Sequence, residues 1–312
     1  MHDMKKRNQD NFNGRRKFIA TIGKLAGTSV VMAALPDITH AGSLWRPQAA
    51  FTVQQVIELI LKEVPNARRE NTVDKIRSGS PDQEVTGIVT TMFPSIEVIE
   101  KTKKIGANFI IAHETPFYNN ADETEWLKDD DAYKYKVDLL NRYKIAIWRF
   151  HDNWHAHKPD GIAMGNLVKF GWEKYYDPQN PRLITLPQPV TIKSIADMAK
   201  KRLGISMVRV VGDLKQPCKT IYLAFGYMDP RMQIPVIQKI KPDLILSGET
   251  REWETVERVR DGLAMGQKTS LLVLSHSVSE EAGMEYLVQW LQPKVAGLKV
   301  TNIPSNNPFT FV

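Results

Sequence analysis

Cysteine is nearly absent from this chain of 312 residues, whose only thiol is that of Cys218. A single cysteine cannot form a disulfide within the chain, and it excludes a zinc site made of several thiolates. The sequence also lacks internal repeats of solenoid length and low-complexity tracts. With 42% hydrophobic and 25% charged residues, it has the composition of an ordinary globular protein, in one large domain or two modest ones.

The N-terminal segment has no apolar run that would make a good membrane span. Residues 18–35 are moderately apolar, but Lys24 and two glycines interrupt them. This run follows the pair Arg15–Arg16 and is followed by Thr39–His40–Ala41, a sequence typical of signal-peptide cleavage. Residues 1–41 therefore resemble a twin-arginine export signal, with a basic amphipathic helix as the alternative. No cysteine lies near the cleavage site, which excludes a lipoprotein anchor.

A large surplus of positive charge is also missing once this segment is set aside. The whole chain has 42 Lys and Arg against 35 Asp and Glu, a net charge of +7. Residues 1–41 hold seven basic and three acidic residues, a net of +4, so the remainder has +7 minus +4, or +3. The clearest basic cluster left, Lys200–Arg202, ends a predicted helix, where cations interact favourably with the helix dipole. The sequence thus indicates no nucleic-acid partner.

Predicted strands and helices alternate along residues 42–312. The strand segments are 85–92, 108–113, 145–150, 208–213, 220–226, 243–249 and 270–276. This alternation predicts an α/β chain with a largely parallel or mixed sheet. A proline-rich connection containing Pro178, Pro181, Pro187 and Pro189 predicts that the pattern restarts in a second lobe near residues 178–190.

Histidines are concentrated at the ends of predicted strands. His113, His151 and His276 all end or directly follow a strand, and His155 and His157 come within six residues of His151. Ligands of open α/β sheets bind beyond the carboxyl ends of the strands. Randomly placed core histidines would not share this position, so the pattern favours a metal site.

Each histidine segment also has an ordinary interpretation. His113 beside Glu114 can be a polar strand end, and residues 151–157 are predicted to lie in a loop, although that loop is unusually rich in imidazole. Glu280, four residues after His276, can serve the dipole of a helix that Ser277 or Ser279 caps. Taken together, the three segments favour a metal site. Imidazole and carboxylate ligands without thiolate suit Zn, Mn or Fe(II).

Four short motifs resemble those of the Nif-three-like family of dinuclear-metal proteins, some of which are called type-two GTP cyclohydrolases. The motifs are His113–Glu114–Thr115–Pro116, His151–Asp152–Asn153–Trp154–His155, Ser247–Gly248–Glu249 and Ser275–His276 through Glu280. Their order and spacing match from about Val53 to Val312, and residues 302–312 resemble the closing strand of the family. Glu114 replaces a histidine of the family pattern, and His155 replaces an aspartate. This exchange resembles a subgroup with His-Glu and His-Asp-x-x-His motifs. It leaves the total numbers of imidazole and carboxylate ligands unchanged.

The resemblance implies two divalent metal ions, of Zn, Mn or Fe. One ion would be bound by His113, His155 and Glu280, and the other by Glu114, His276 and the same Glu280, which therefore bridges them. The resemblance also implies a fold of two intertwined α/β lobes with mixed sheets. Members of the family usually assemble as a hexameric ring with the sites facing its cavity.

Three functions are compatible with such a site. Two bridged ions can activate a water molecule and polarise a phosphoryl oxygen, which favours a hydrolase of a small phosphoester or nucleotide-like substrate. Asp152 and Glu249 are then the candidate general bases, although Asp152, with His157 and Asp160, can instead orient the ligands. A non-catalytic metal-binding or interaction protein is the second possibility. A GTP cyclohydrolase is the third, and export argues against it because GTP is a cytoplasmic metabolite.

We expect the chain to be exported in the folded state and cleaved near Ala41, so that the mature protein is periplasmic or extracellular. Intact-mass analysis of protein from its native host should give a chain that begins near Gly42. Recovery of a cytoplasmic protein that retains residues 1–41 would contradict this prediction.

Overall fold

Two five-stranded mixed sheets form the framework of the residues that this computed structural model describes, 51–121 and 123–312. The first sheet has the order β1–β4–β3–β2–β10, from β1 (Ile76–Ser78), β2 (Ile88–Thr91), β3 (Phe109–Ala112), β4 (Ala146–Arg149) and β10 (Val300–Asn302). The second has the order β5–β7–β8–β9–β6, from β5 (Leu183–Thr191), β6 (Arg209–Val211), β7 (Pro217–Tyr227), β8 (Leu244–Glu249) and β9 (Ser270–Val273). Because β10 returns to pair with β2, the lobes are intertwined, and the predicted fold class is confirmed.

Nine α-helices connect or cover these strands in the described part of the chain. They are α1 (Val53–Lys62), α2 (Ile96–Lys104), α3 (Asp131–Tyr143), α4 (Asp152–Ala156), α5 (Gly161–Phe170), α6 (Ile192–Leu203), α7 (Pro230–Lys239), α8 (Glu257–Ala264) and α9 (His276–Leu291). A π-helical turn, Glu252–Val256, precedes α8. None of the helices described here is long and apolar enough to cross a membrane. The predicted export signal lies outside the described residues.

Helix α9 packs between the two sheets and carries part of the candidate site. It contacts β2 and β10 of the first sheet and β7 and β8 of the second. Its Met284, Leu287 and Leu291 are fully buried. The buried hydroxyl of Thr90 in β2 also donates a hydrogen bond to Met284 O at 2.8 Å. Burial of each large apolar side chain stabilises the folded state by about 1.5–3 kcal/mol. These contacts therefore fix α9 against both sheets.

Strand β5 was not predicted, because prolines occur in it. The sequence predicts a connection here, but Pro187 and Pro189 lie inside a strand that pairs with β7 at the sheet edge. The pairing register shifts between Thr185 and Val190, so the prolines occupy an irregular part of a sheet edge. Proline lacks the N–H that a central strand needs, and an edge strand tolerates this loss.

The loop predicted for residues 151–157 is also wrong, because residues 152–156 form α4. Asp74, which is distant in sequence, accepts hydrogen bonds from the backbone N–H groups of residues 151–153 at 2.8–2.9 Å. This carboxylate satisfies the free donors at the start of the helix. A cap from so far along the chain leaves no local sequence signal.

Two further boundaries differ from the sequence-based expectation. Helix α9 begins at His276 itself, after Ser275 in a left-handed conformation (φ 98°), so neither Ser277 nor Ser279 caps it. The closing strand β10 ends at Asn302, and residues 303–312 form no regular structure. The shift of the helix start places His276 and Glu280 one turn apart on the same face.

Close packing between α5 and α9 generates a stability prediction. A methyl group at Gly165 would overlap the backbone at Ala282 and Gly283. We expect Gly165→Ala to destabilise the protein by about 1–3 kcal/mol, because overpacking outweighs the gain in helix propensity. Chemical denaturation measures this change.

The matched control is Gly262→Ala in α8, where the added methyl would meet only the side-chain ends of Gln267 and Arg258. These ends can move, so this variant should gain up to about 1 kcal/mol. Equal stabilities of the two variants would contradict the packing argument.

Candidate metal centre

The carboxyl ends of parallel strands bring the candidate ligands together. His113 and Glu114 directly follow β3, and His151 follows β4, its parallel neighbour, by two residues. The backbone N–H groups of His113 and Glu114 still donate to Thr91 O and Met92 O, at 3.0 and 2.9 Å. Since this pairing continues past the strand end, the two side chains leave the sheet in fixed directions.

Three imidazoles form the first group of possible metal ligands. Ligand atoms of His113, His151 and His155 all lie within 4.8 Å of one another. The rings of His113 and His151 stack with centroids 4.6 Å apart, and His155 meets both edge-on at 5.0 and 4.9 Å. This spacing allows the three rings to share one ion.

Carboxylates define the second group, in which Glu280 is central. Ligand atoms of His113, Glu114 and Glu280 lie within 4.8 Å of one another. The Oε1 atom of Glu280 faces His155 Nε2 at 3.8 Å. Its Oε2 atom lies 3.2 Å from His276 Nε2 and 3.6 Å from His113 Nε2. Glu114 Oε1 closes the group, 3.5 Å from His276 Nε2. The two oxygens of Glu280 therefore face different imidazoles.

All four imidazoles are oriented by a partner at Nδ1. The partners are Phe150 O for His113 (3.2 Å), Asp152 Oδ1 for His151 (2.9 Å), Asp160 Oδ2 for His155 (3.0 Å) and Glu249 Oε2 for His276 (2.8 Å). Metal-binding histidines characteristically donate one ring N–H in this way, which leaves Nε2 for the ion. Among the described residues, the buried His113 Nε2 and Glu280 Oε2 have no hydrogen-bond partner. Four oriented rings and two orphaned buried ligand atoms fit a metal centre.

Arg149, the last residue of β4, holds Glu114 in place. The guanidinium is fully buried and donates to Glu114 Oε2 at 2.6 Å. It also donates to Asn120 O and Asn120 Oδ1, both at 2.8 Å. Burial alone would raise the pKa of Glu114, but the nearby His276 imidazole and the charge of Arg149 lower it to about 2. The carboxylate is thus ionised and has Oε1 directed at the site.

The protonation of the imidazoles follows from their charged neighbours. Burial and the other three imidazoles lower the pKa of His113 well below its usual value. Burial opposes protonation of His155, yet the Asp160 and Glu280 carboxylates raise its pKa to about 9. Burial also opposes protonation of His276, but the Glu114, Glu249 and Glu280 carboxylates around it raise its pKa to about 12. Without metal, His155 and His276 are therefore cationic at neutral pH.

A glycine in the second sheet makes room for the central carboxylate. Gly226 in β7 has φ 63°, and a methyl group there would overlap the carboxylate of Glu280. Its N–H donates to Ser279 Oγ at 2.9 Å. The left-handed backbone and the missing side chain are both required at this position.

The structure brings all five predicted metal ligands together, and it adds His151, to which the family motifs assign no ligand role. The two predicted general bases lie behind imidazoles, Asp152 at His151 and Glu249 at His276. His157 is not in the cluster, because its Nδ1 faces Pro159 O at 2.7 Å and its ring contacts Trp154 and Trp290. Arg149 was missed, since a basic residue inside an apolar strand segment carries no motif.

Comparisons with known proteins agree with this architecture. A family model described as Duf34/NIF3 (NGG1p interacting factor 3) matches residues 38–308. A Clostridium perfringens protein named "GTP cyclohydrolase 1 type 2 homolog" is 26% identical over 212 residues, which cover 65% of this chain and 76% of that protein. The crystal structure of Staphylococcus aureus protein SA1388 covers 84% of this chain and 99% of its own, with TM-score 0.67 and 19% identity. The likeness to SA1388 shows the fold alone.

Metal uptake should release protons, because two of the ligands are protonated without it. The pKa values of about 9 for His155 and about 12 for His276 lie above neutrality, so a metal ion must displace both protons. We expect release of about two protons per chain near pH 7.5. Titration calorimetry in buffers of different ionisation enthalpy gives this number from the slope of heat against that enthalpy.

The variant His155→Ala should release about one proton fewer than the wild type, since one cationic imidazole is gone. A heat of binding that does not change from buffer to buffer would contradict the assignment of His155 and His276 as ligands.

Proposed function

We propose that this chain, which belongs to the Duf34/NIF3 family, is an exported hydrolase of a small phosphoester or nucleotide-like substrate that works with two divalent metal ions. The observation that carries the proposal is the position of Glu280. Its Oε1 faces His155 at 3.8 Å, whereas its Oε2 faces His276 and His113 at 3.2 and 3.6 Å. A buried carboxylate whose two oxygens face different imidazoles is suited to bridge a pair of ions.

The proposed ligand sets divide the cluster in two. As the family resemblance implies, His113, His155 and Glu280 would bind one ion, with His151 beside them; His113 Nε2 also lies 3.6 Å from the Glu280 oxygen that faces His276. Glu114, His276 and Glu280 would bind the other. Zn, Mn and Fe suit this mixture of nitrogen and oxygen ligands. When bound, such ions supply Lewis-acid polarisation of a phosphoryl oxygen and lower the pKa of a water molecule.

Of the two candidate bases, Glu249 is better placed to accept a proton. Both carboxylate oxygens of Asp152 are engaged, Oδ1 with His151 and Oδ2 with the Thr72 hydroxyl at 2.9 Å. Asp152 therefore orients His151. Glu249 uses Oε2 for His276, and its half-exposed side chain has no other hydrogen bond among the described residues. The hydrogen bond with His276 lowers the pKa of Glu249, so the carboxylate is ionised at neutral pH.

The name of the Clostridium perfringens relative supports a second candidate, a GTP cyclohydrolase. Both reactions would use an activated water molecule, and both substrates contain phosphate. The proposed export of the chain favours the hydrolase, because an exported protein would not meet cytoplasmic GTP. A non-catalytic metal-binding protein is the remaining alternative, and absence of turnover by the fully loaded protein would favour it.

We also propose that the chain assembles as a homo-oligomer, as the family resemblance implies for a hexameric ring.

The test is a screen of metal-loaded protein against phosphoesters, nucleotides and amides. We expect turnover of a phosphoester or nucleotide-like compound that Mn or Zn stimulates and a chelator abolishes. Glu280→Gln should lose both ions and reduce turnover by about 10²-fold or more, because both ligand sets share this carboxylate. His155→Ala should mainly empty one of the two positions.

Glu285→Gln is the matched control, because Glu285 lies on the same helix but pairs with Lys169 at the surface. It should keep both ions and full activity. Full metal content in Glu280→Gln would refute the bridging role. Two-metal occupancy without turnover of any ester, amide or nucleotide would refute the hydrolase.

A further inference from the structure

Helix α3 carries a buried lysine that the proposed metal chemistry does not use. Lys136 is 4% exposed, and its Nζ donates to Pro116 O at 2.7 Å. No carboxylate among the described residues forms an ion pair with it. Burial alone lowers its pKa to about 8, so the side chain remains largely cationic at neutral pH.

An ammonium group in this position is costly if it serves only the fold. Taking a charge out of water costs several kcal/mol unless a counter-charge offsets the loss, and one carbonyl oxygen does not supply that charge. A methionine would fill the same volume without this cost. The missing partner is therefore an anion that the chain itself does not provide.

A cavity of about 710 Å³ connects Lys136 with the metal centre. His276 and Glu249 line this cavity, and so do Lys136 and its neighbours Thr115, Pro116 and Tyr118. Tyr118 adopts φ 66° and lies with its ring centroid 5.5 Å from Lys136 Nζ. A left-handed conformation is uncommon for an aromatic residue and is found preferentially at functional sites.

The same cavity reaches the N-terminus of α2. Ser95, the N-cap, and Ile96, the first helical residue, both line it. The free N–H groups and the dipole at this end of a helix favour negative charge. Lys136 and the start of α2 therefore offer an anion two favourable partners in a cavity that His276 and Glu249 also line.

We propose that Lys136 binds a second anionic group of the substrate, a carboxylate or a phosphate, while the first group lies at the metal centre. The substrate is thus a small molecule with two acidic groups, one of them the phosphoryl group that is hydrolysed. This inference rests on the proposed function, because it assumes that the metal centre binds the reacting group. Lys136 is a specificity residue, and the hydrogen bond to Pro116 O positions its ammonium group.

Non-hydrolysable phosphonates test the proposal in the metal-loaded protein. Methylphosphonate carries one anionic group, and the α,ω-alkanediphosphonates with one to four methylene groups carry two at increasing separation. Calorimetry should show that the wild type prefers at least one diphosphonate to methylphosphonate. Lys136→Met should weaken the binding of that diphosphonate by about tenfold or more, which is the effect of one charge-assisted hydrogen bond. The affinity for methylphosphonate should stay within about twofold of the wild-type value.

Lys134→Met is the matched control, since Lys134 lies on the same helix with its side chain exposed and donates only to Asp129 O. It should bind every probe as the wild type does. Lys136→Gln replaces Lys136→Met if the latter does not fold. A wild type without preference for any diphosphonate, or a preference that survives in the Lys136 variants, overturns the proposal.

Failure of the hydrolase proposal gives a different result from failure of this one. Metal content and methylphosphonate binding are measured on the same samples, and neither depends on Lys136. Normal metal content and methylphosphonate binding, combined with a diphosphonate preference independent of Lys136, would refute only the second anionic subsite. If no substrate is turned over but the preference for a diphosphonate still depends on Lys136, only the hydrolase proposal is refuted.

Discussion

The buried carboxylate of Glu280 is the constraint on which the rest of the site depends. It is 2% exposed, and its Oε2 atom has no hydrogen-bond donor among the described residues. An isolated carboxylate at this depth would cost several kcal/mol, so positive charge must surround it. Cationic His155 and His276 supply this charge without metal, and a pair of ions would supply it with metal. In both states, the negative charge of Glu280 draws the imidazoles to one point.

The scaffold around Glu280 is rigid because each ligand is supported from a different element. Helix α9 is held between both sheets, and Asn166 in α5 donates to Ser279 O at 2.7 Å, next to the carboxylate. Arg149 fixes Glu114 from β4. The packing of several separate elements fixes the positions of the candidate metal-binding side chains. The site is therefore preorganised, and little rearrangement is needed when an ion or substrate binds.

The positions of most site residues could be predicted because they follow the carboxyl ends of parallel strands, where ligands of α/β sheets bind. His113, His151 and His276 illustrate this rule. The roles behind the ligands could not be predicted. Asp152 orients His151 because Thr72, eighty positions earlier, engages its second oxygen. Such a partner leaves no local pattern in the sequence.

Partners that are distant in sequence also explain the other features that could not be predicted. Strand β5 contains two prolines that only a sheet edge tolerates, and α4 begins at a carboxylate from Asp74. The burial of Lys136 is equally invisible, because lysines are common on predicted helices and most of them are solvated. In each case tertiary contacts, and not local propensity, decide the outcome.

The pairing of β10 with β2 has a consequence for the order of folding. A ribosome makes β2, β3 and β4 long before it makes α9 and β10, so β2 has an unpaired edge while the second lobe is being synthesised. Such an edge can pair with other chains and requires protection. During the same period, His113 and Glu114 are present without Glu280. The set of candidate metal ligands is therefore completed late in folding, and an ion that needs all of them would report that both lobes have closed.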